Sequence, residues 1–442
     1  MLKMAVTGDS HLGKSYQTME FREEDINQGF DLFLSSIVSE RPDVLVHAGD
    51  LFDHHFPPGW IFDRGLERLQ AIPEPADGVQ VVDVTTGSPA PNVFIVHGNH
   101  DGKSDPKSQT GYFSVLKYFD TMSLCNYLDL RVEDENVFLP RFIIKAGEVT
   151  VGIQGLGYRS PSQFENLLDE IQAPDDTDHN VLVIHQAVGE LTTTYTKGES
   201  IPQERFLGKG FDLVIAGHTH RPMFDVNEGT RFLVPGSTER IDSGEYGDRK
   251  GYYIVTFTKD QIEFEFRAVD LDQIRKIRTY VVDVEGLSGS EITKQCVEAV
   301  TDPYVEQALI YFVLRGQTPR GHLDVSKEDI ERELLERGAR AVKINTDKVI
   351  RKEIGELLEA DDWRHVRITE SLFQRLLSQA ALKDLSGNPI REQEAIALLS
   401  KVAYRIFRAY EEGDKSAVQS VLSKDLLAIA ESFHNNSEGE DN

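Results

Sequence analysis

An α/β fold is predicted for roughly the first 270 residues of this 442-residue chain by three observations. Apolar runs of strand length alternate with stretches of helical period. Five of those runs end in a loop that carries Asp, His or Asn. The last strands of the region follow one another without helices between them, which predicts two packed sheets with helices outside.

The five run-and-loop units come in this order. Residues 2–6 lead into Asp9-Ser10-His11, and 44–46 into Gly49-Asp50. Residues 93–96 lead into His97-Gly98-Asn99-His100-Asp101. The run 181–184 ends on His185, and 213–215 leads into Gly217-His218-Thr219-His220. Between them, 21–39 has Ile26, Phe30, Phe33, Leu34 and Ile37 at helical spacing. Pro57-Pro58 opens a helix over 60–72. Residues 73–91 are rich in Pro, Gly and Ser and read as a loop with a short hairpin at 79–84. Helices are expected at 112–122 and 162–171, and strands at 142–147, 149–154, 231–234, 252–258 and 262–268.

Composition shifts near Asp272. Strands at 277–284, 308–315 and 339–344, with helices at 291–300 and 327–337 between them, predict a compact α+β unit. From Asn345 the chain reads as helical. Ser386-Gly387-Asn388-Pro389 interrupts it, and helices 390–411 and 416–433 follow. The polar residues 435–442 read as disordered. Domain boundaries are therefore expected at 1–271, 272–345, 346–434 and 435–442.

The net charge of −27 argues against a surface coated in basic patches. It leaves room for a nucleic-acid enzyme, because metal ions bring positive charge into a site. Two cysteines, Cys125 and Cys296, are too few and too far apart in sequence for a disulfide framework. No run reaches the roughly 20 apolar residues needed to cross a bilayer, and Leu2 opens a strand with no basic leader before it. A cytoplasmic protein without a membrane partner is the expectation.

The chemistry lies in the five loops. Asp9, His11, Asp50, Asn99, His185, His218 and His220 are the candidate metal ligands. Carboxylate, imidazole and amide oxygen together suit Mn²⁺, Fe²⁺ or Zn²⁺. The absence of thiolates in the set argues against a structural zinc. Seven ligands exceed the need of one ion, so two ions sharing a carboxylate are expected, with Asp50 as the shared group. Two metals about 3.5–4 Å apart activate water and clamp a phosphate in line. His100 adjoins a ligand and is the candidate catalytic residue, as hydrogen-bond donor to phosphate or proton donor to the leaving oxygen. Asp53 follows Asp50 in the same loop. Facing substrate it would repel phosphate, so it is expected to orient a neighbour, His100 first, rather than hold metal.

These motifs resemble the calcineurin-like metallophosphoesterase superfamily. Three further stretches narrow the resemblance to the SbcD-type, meiotic-recombination class of DNA double-strand-break repair nucleases. They are Gly8-Asp9-Ser10-His11-Leu12-Gly13, Gly49-Asp50-Leu51-Phe52-Asp53 with prolines after it, and Pro235-Gly236-Ser237-Thr238-Glu239-Arg240 followed by Lys250-Gly251-Tyr252. The likeness is specific over about 1–270 and continues beyond only by domain order. It implies a four-layer α/β/β/α sandwich with a DNA-binding α+β cap and a helical tail. One ion would be held by Asp9, His11, Asp50 and His220, and the second by Asp50, Asn99, His185 and His218, with His100 catalytic. The activity implied is that of a Mn²⁺-dependent exonuclease on duplex ends and endonuclease on single strands and hairpins. The implied partners are DNA, a second copy of the chain, and an SMC-like, SbcC-type ATPase bound by the C-terminal helices; in a prokaryote the place would be the nucleoid. The homodimer would form through helices 60–72 and 112–122, with Ile61, Tyr118 and Met122 in contact. Archaeal and eukaryotic members place histidine where Asp53 stands here, whereas SbcD-type bacterial members have Asp. Two other functions are weighed against this one: a phosphoesterase on small phosphoesters or nucleotides, and a scaffold with an inactive site.

Overall fold

The computed structural model describes residues 1–16, 19–133, 136–192, 200–301, 305–318 and 325–351. The tail helices expected at 390–411 and 416–433 and the polar terminus lie outside the described residues.

Two sheets pack face to face. The first has six strands in the order Ile262–Ala268, Gly251–Phe257, Leu2–Thr7, Val44–His47, Val93–Ile95 and Asn126–Tyr127. The second has seven: Met223–Asn227, Thr230–Val234, Leu213–Ala216, His179–Ile184, Val149–Leu156, Phe142–Ala146 and Val79–Asp83. The ligand-bearing strands are the parallel ones at the middle of each sheet. Parallel strands are covered on both faces, which is why they read as unbroken apolar runs instead of alternating ones.

Side-chain alternation sends each run into two cores. Met4, Val6, Val44, Val46 and Phe94 meet Val151, Ile153, Val183, Leu213 and Ile215 between the sheets. Ala5, Leu45, Val93 and Ile95 face outward under Phe30, Phe33 and Ile37 of helix Phe21–Ser39, Leu69 of helix Gly59–Gln70 and Phe119 of helix Leu116–Thr121. On the far side, Leu182, Ile184 and Val214 pack under Phe164 and Leu168 of helix Pro161–Glu170. The layers are thus α/β/β/α, and the chain has the mixed α/β sandwich that its periodicity predicts.

Two elements differ from the sequence reading. The helix expected over 112–122 spans only Leu116–Thr121, because Tyr112–Ser114 pairs as a strand with Gly102–Ser104. Ile61, expected at a dimer contact, is fully buried in the core beneath its helix. Trp60, Phe56, Tyr118 and Met122 are the exposed large apolar side chains of that region.

Beyond residue 276, strands Ile277–Asp283, Leu309–Thr318 and Ala341–Arg351 form a sheet with the middle one central. Helices Gly289–Ala299 and Lys327–Glu336 connect them. The last strand runs past Ile344, where the sequence reading ends it. Asn345-Thr346-Asp347 breaks the apolar pattern, but backbone pairing needs no apolar side chain. By contacts the chain falls into two compact units. One comprises Met1–Tyr280, Cys296–Val313 and Lys327–Ile344; among the described residues the other comprises Val281–Gln295 and those of 314–326 and 345–351. All the candidate site residues belong to the first.

Candidate metal centre

Each sheet delivers its loops to the same edge. The first two loops are zipped together by their backbones: Asp9 N donates to Gly49 O at 2.9 Å and His11 N to Asp50 O at 2.9 Å. Asp9, His11, Asp50 and His218 all sit at positive φ, at 47°, 47°, 52° and 75°. Such backbone is strained by about 1–3 kcal/mol per residue and collects at functional sites. Two glycines permit the close approach. A Cβ on Gly98 would fall 1.9 Å from Asp50 Oδ1, and one on Gly49, itself at φ 97°, would fall 2.2 Å from His185 Nδ1.

The structure brings all seven candidate ligands together. Asp50 is central: its Oδ2 lies 3.3 Å from His185 Nε2 and 3.7 Å from His11 Nε2. Its Oδ1 accepts from the His100 backbone N–H at 2.9 Å. Asp9 Oδ1 accepts from His218 N at 3.0 Å and lies 3.9 Å from His220 Nε2. Asn99 Oδ1 lies 3.0 Å from His218 Nδ1 and 3.3 Å from His185 Nε2. Asp9, His11, Asp50 and His185 are buried, while Asn99 and His100 stand at the mouth.

The outer contacts decide which ring nitrogens point inward. His11 Nδ1 donates to Asp53 Oδ1 at 3.0 Å, His220 Nδ1 to Glu245 Oε1 at 2.8 Å, and His185 Nδ1 to Ala48 O at 2.7 Å. A carboxylate or a carbonyl oxygen can only accept, so each Nδ1 carries the hydrogen, and in the neutral ring each Nε2 offers a lone pair. His11 Nε2 and His220 Nε2 then face each other at 3.1 Å. Asp9 Oδ2 is buried and has no hydrogen-bond partner among the described residues. Lone pairs aimed at lone pairs repel unless cations lie among them, so this donor set fits divalent metal ions. Two groups sharing Asp9 form around it: Asp9, His11 and His220, and Asp9, Asp50 and His185.

Without cations, protons must balance the carboxylates. Burial works against a charged His185, but Asp50 and Asp9 outweigh it and raise its pKa to about 9. Burial pushes the Asp9 carboxyl up, and nearby histidines only partly offset this. Burial, with His185 close by, pushes His218 down to about 3. Bound divalent ions would supply the missing positive charge directly.

Asp53 does more than the sequence suggests. Its Oδ1 lies 3.2 Å from His100 Nδ1 and also accepts from His11 Nδ1 and from Lys14 Nζ at 3.2 Å, and its backbone carbonyl lies 3.2 Å from the same His100 Nδ1. Burial lowers the pKa of His100, but the Asp53 hydrogen bond and the Asp50 charge outweigh it and raise it to about 9. Burial likewise works to raise Asp53, and His100, His11 and Lys14 hold it well below the carboxylate range instead.

Sequence reasoning misses three supports. Glu245 holds His220; its signal is the Asp242-x-x-Glu245 capping box, whose Asp242 N donates to Glu245 Oε1 at 3.0 Å. Asp101 ends the Gly-Asn-His-Asp stretch, and its buried carboxylate accepts from Gly98 N at 2.6 Å and Leu51 N at 2.8 Å, tying two ligand loops together. A buried group of His97, Tyr127, Asp129 and Arg159 lies beneath the Asn99 loop. Nothing in the sequence marks its members as partners.

A protein with this sandwich and this ligand cluster is a metallophosphoesterase by architecture, and residues 2–222 match the family model described as calcineurin-like phosphoesterase. The chain belongs to that family. It is also similar to curated relatives described as DNA double-strand break repair protein Mre11. The protein of that name from Methanopyrus kandleri is 25% identical over 423 residues, covering 93% of this chain and 83% of its own length. That from Halobacterium salinarum is 27% identical over 348 residues, 78% of each chain. The double-strand break repair protein MRE11 of Encephalitozoon cuniculi is 29% identical over 282 residues, 57% of this chain and 45% of its own. Among the described residues, no helix is long and apolar enough to cross a membrane.

Proposed function

We propose that this chain is a two-metal DNA nuclease acting in double-strand break repair. The observation that carries the chemistry is the inward-facing lone pairs of His11, His220 and His185 around Asp9 and Asp50. DNA as substrate is supported by the printed names of the relatives that span most of the chain. One ion would be held by Asp9, His11, Asp50 and His220, and the other by Asp50, Asn99, His185 and His218, with Mn²⁺ suited to this mix of nitrogen and oxygen donors. When bound, such ions supply Lewis acidity toward a phosphodiester and an attacking water.

The remaining roles fall to the chain's own side chains. His100 stands half-exposed at the mouth with Nδ1 against Asp53, which turns Nε2 toward substrate. Protonated at Nε2, it would donate to the phosphate or to the leaving oxygen. Asp53 fixes its ring. In this reading residues 272–345 form a DNA-binding cap and residues 346–434 dock on an SMC-like ATPase. A second copy would pair through the exposed Trp60, Phe56, Tyr118 and Met122. The place of action would be the cytoplasm.

The test is digestion of end-labelled duplex and hairpin DNA in Mn²⁺, run beside a small chromogenic phosphodiester. Mn²⁺-dependent cleavage of both DNAs is expected. Hydrolysis of the small ester alone would replace this reading by a phosphoesterase on small phosphoesters or nucleotides. Hydrolysis of neither would leave an inactive scaffold.

A further inference from the structure

Three of the second ion's ligands, Asn99, His185 and His218, stand on separate loops, and one buried residue, Arg159, touches a neighbour of each: its side chain those of Asn99 and His218, its backbone carbonyl that of His185. Arg159 is 2% exposed. Its Nη1 donates to His97 Nε2 at 3.0 Å, and His97 opens the loop that carries Asn99. Its backbone carbonyl accepts from Gln186 Nε2 at 2.6 Å, and Gln186 follows His185. Its Nη1 also donates to the carbonyl of Tyr158 at 2.8 Å, and the Tyr158 ring lies 5.7 Å from that of His218.

The guanidinium itself is held from three sides. Nη2 donates to both Asp129 oxygens, at 2.9 and 3.0 Å, and the group lies 4.0 Å over the Tyr112 ring. Because arginine only donates, His97 Nε2 must accept, so His97 Nδ1 carries the hydrogen and donates to Tyr127 Oη at 2.6 Å. The His97 ring fills the space left by Gly157 and Gly102, where a Cβ would come within 2.1 and 2.0 Å of it. The ligand group of Asp9, His11 and His220 rests on Asp53 and Glu245 instead.

We propose that Arg159 is a positioning residue for the Asn99, His185 and His218 half of the centre, and that it sets the affinity of the second ion without affecting the first. This rests on the two-ion reading above. Partners that orient metal ligands typically change metal affinity about 10–100-fold when removed.

The experiment is a Mn²⁺ titration of the metal-stripped full chain by calorimetry, with the melting temperature of the metal-free protein as a control. Three proteins are compared: wild type, Arg159→Lys, and the double variant Arg159→Met with Asp129→Leu. The lysine keeps the charge beside Asp129 but loses the fork to His97. The double variant removes the pair together, so that no buried charge is left unpaired. Wild type is expected to take up two ions. In both variants the second step should weaken about 10–100-fold while the first stays within about threefold, with the melting temperature of whichever variant folds best close to wild type. Equal weakening of both steps, or two unchanged steps, would overturn the proposal. A wild-type chain that binds a single ion would sink the two-ion reading, and this proposal with it.

Discussion

Asp53→Ala tests how far one carboxylate organises the centre. Three donors converge on its Oδ1: His11 Nδ1 at 3.0 Å, His100 Nδ1 at 3.2 Å and Lys14 Nζ at 3.2 Å. Hydrogen bonds to charged groups contribute about 1.5–3 kcal/mol each, so removing the carboxylate frees the His11 ring and leaves His100 Nδ1 only the Asp53 backbone carbonyl at 3.2 Å. The effects separate by ring. Loss of the His11 contact should weaken the ion on Asp9, His11 and His220 about 10–100-fold. Loss of the His100 contact should lower the rate at saturating Mn²⁺ by up to about 10²–10⁴-fold, the range supplied by a positioned proton donor. Asp53→Asn keeps one acceptor oxygen and should recover part of each loss. Asp53→His offers a nitrogen in place of the carboxylate and should alter the balance of duplex-end against single-strand cleavage. From sequence alone, metal binding would be expected to survive all three changes; the His11 contact is the reason to expect otherwise. The assays are Mn²⁺ titration and cleavage of labelled duplex and single-stranded DNA. Wild-type metal affinity and wild-type rates in Asp53→Ala would refute the orienting role and leave Asp53 as a loop cap.

Three other outcomes are expected. His100→Ala should keep both ions and lose turnover by about 10²-fold or more; loss of an ion on metal analysis would make His100 a ligand. Adding Mn²⁺ to the stripped protein should raise its melting temperature, with about 2.7 kcal/mol gained at a hundred times the dissociation constant, because the buried Asp9 and Asp50 carboxylates converge with His11, His185 and His220 on a site that suits divalent cations; an unchanged melting curve would contradict the donor-set argument. Trp60→Glu with Tyr118→Glu should give a monomer by light scattering with the small-ester activity kept, because both side chains are exposed while Ile61 beside them lies in the core; an unchanged dimer mass would move the interface elsewhere.

Much of this protein is legible in its sequence because local physics repeats there. Buried parallel strands announce themselves as unbroken apolar runs, and the polar residues that follow each run have nowhere to go but the sheet edge. Five such runs ending in Asp, His or Asn therefore establish the α/β class and the seven candidate ligands without any knowledge of strand order. The short helix Leu116–Thr121 is less legible, because the aromatic residues Tyr112 and Phe113 suit a strand as well as a helix, and pairing with Gly102–Ser104 decided it. Ile61 shows the same limit: its helix spacing is evident, but which face meets the core is not. What tertiary structure alone decided is the layer of supports behind the ligands. Glu245 reaches His220 from 25 residues away, Asp53 reaches His11 from 42, and Arg159 reaches His97 from 62. Side-chain hydrogen bonds across such separations leave no period in the sequence. They are set by which loops the two sheets bring to one edge.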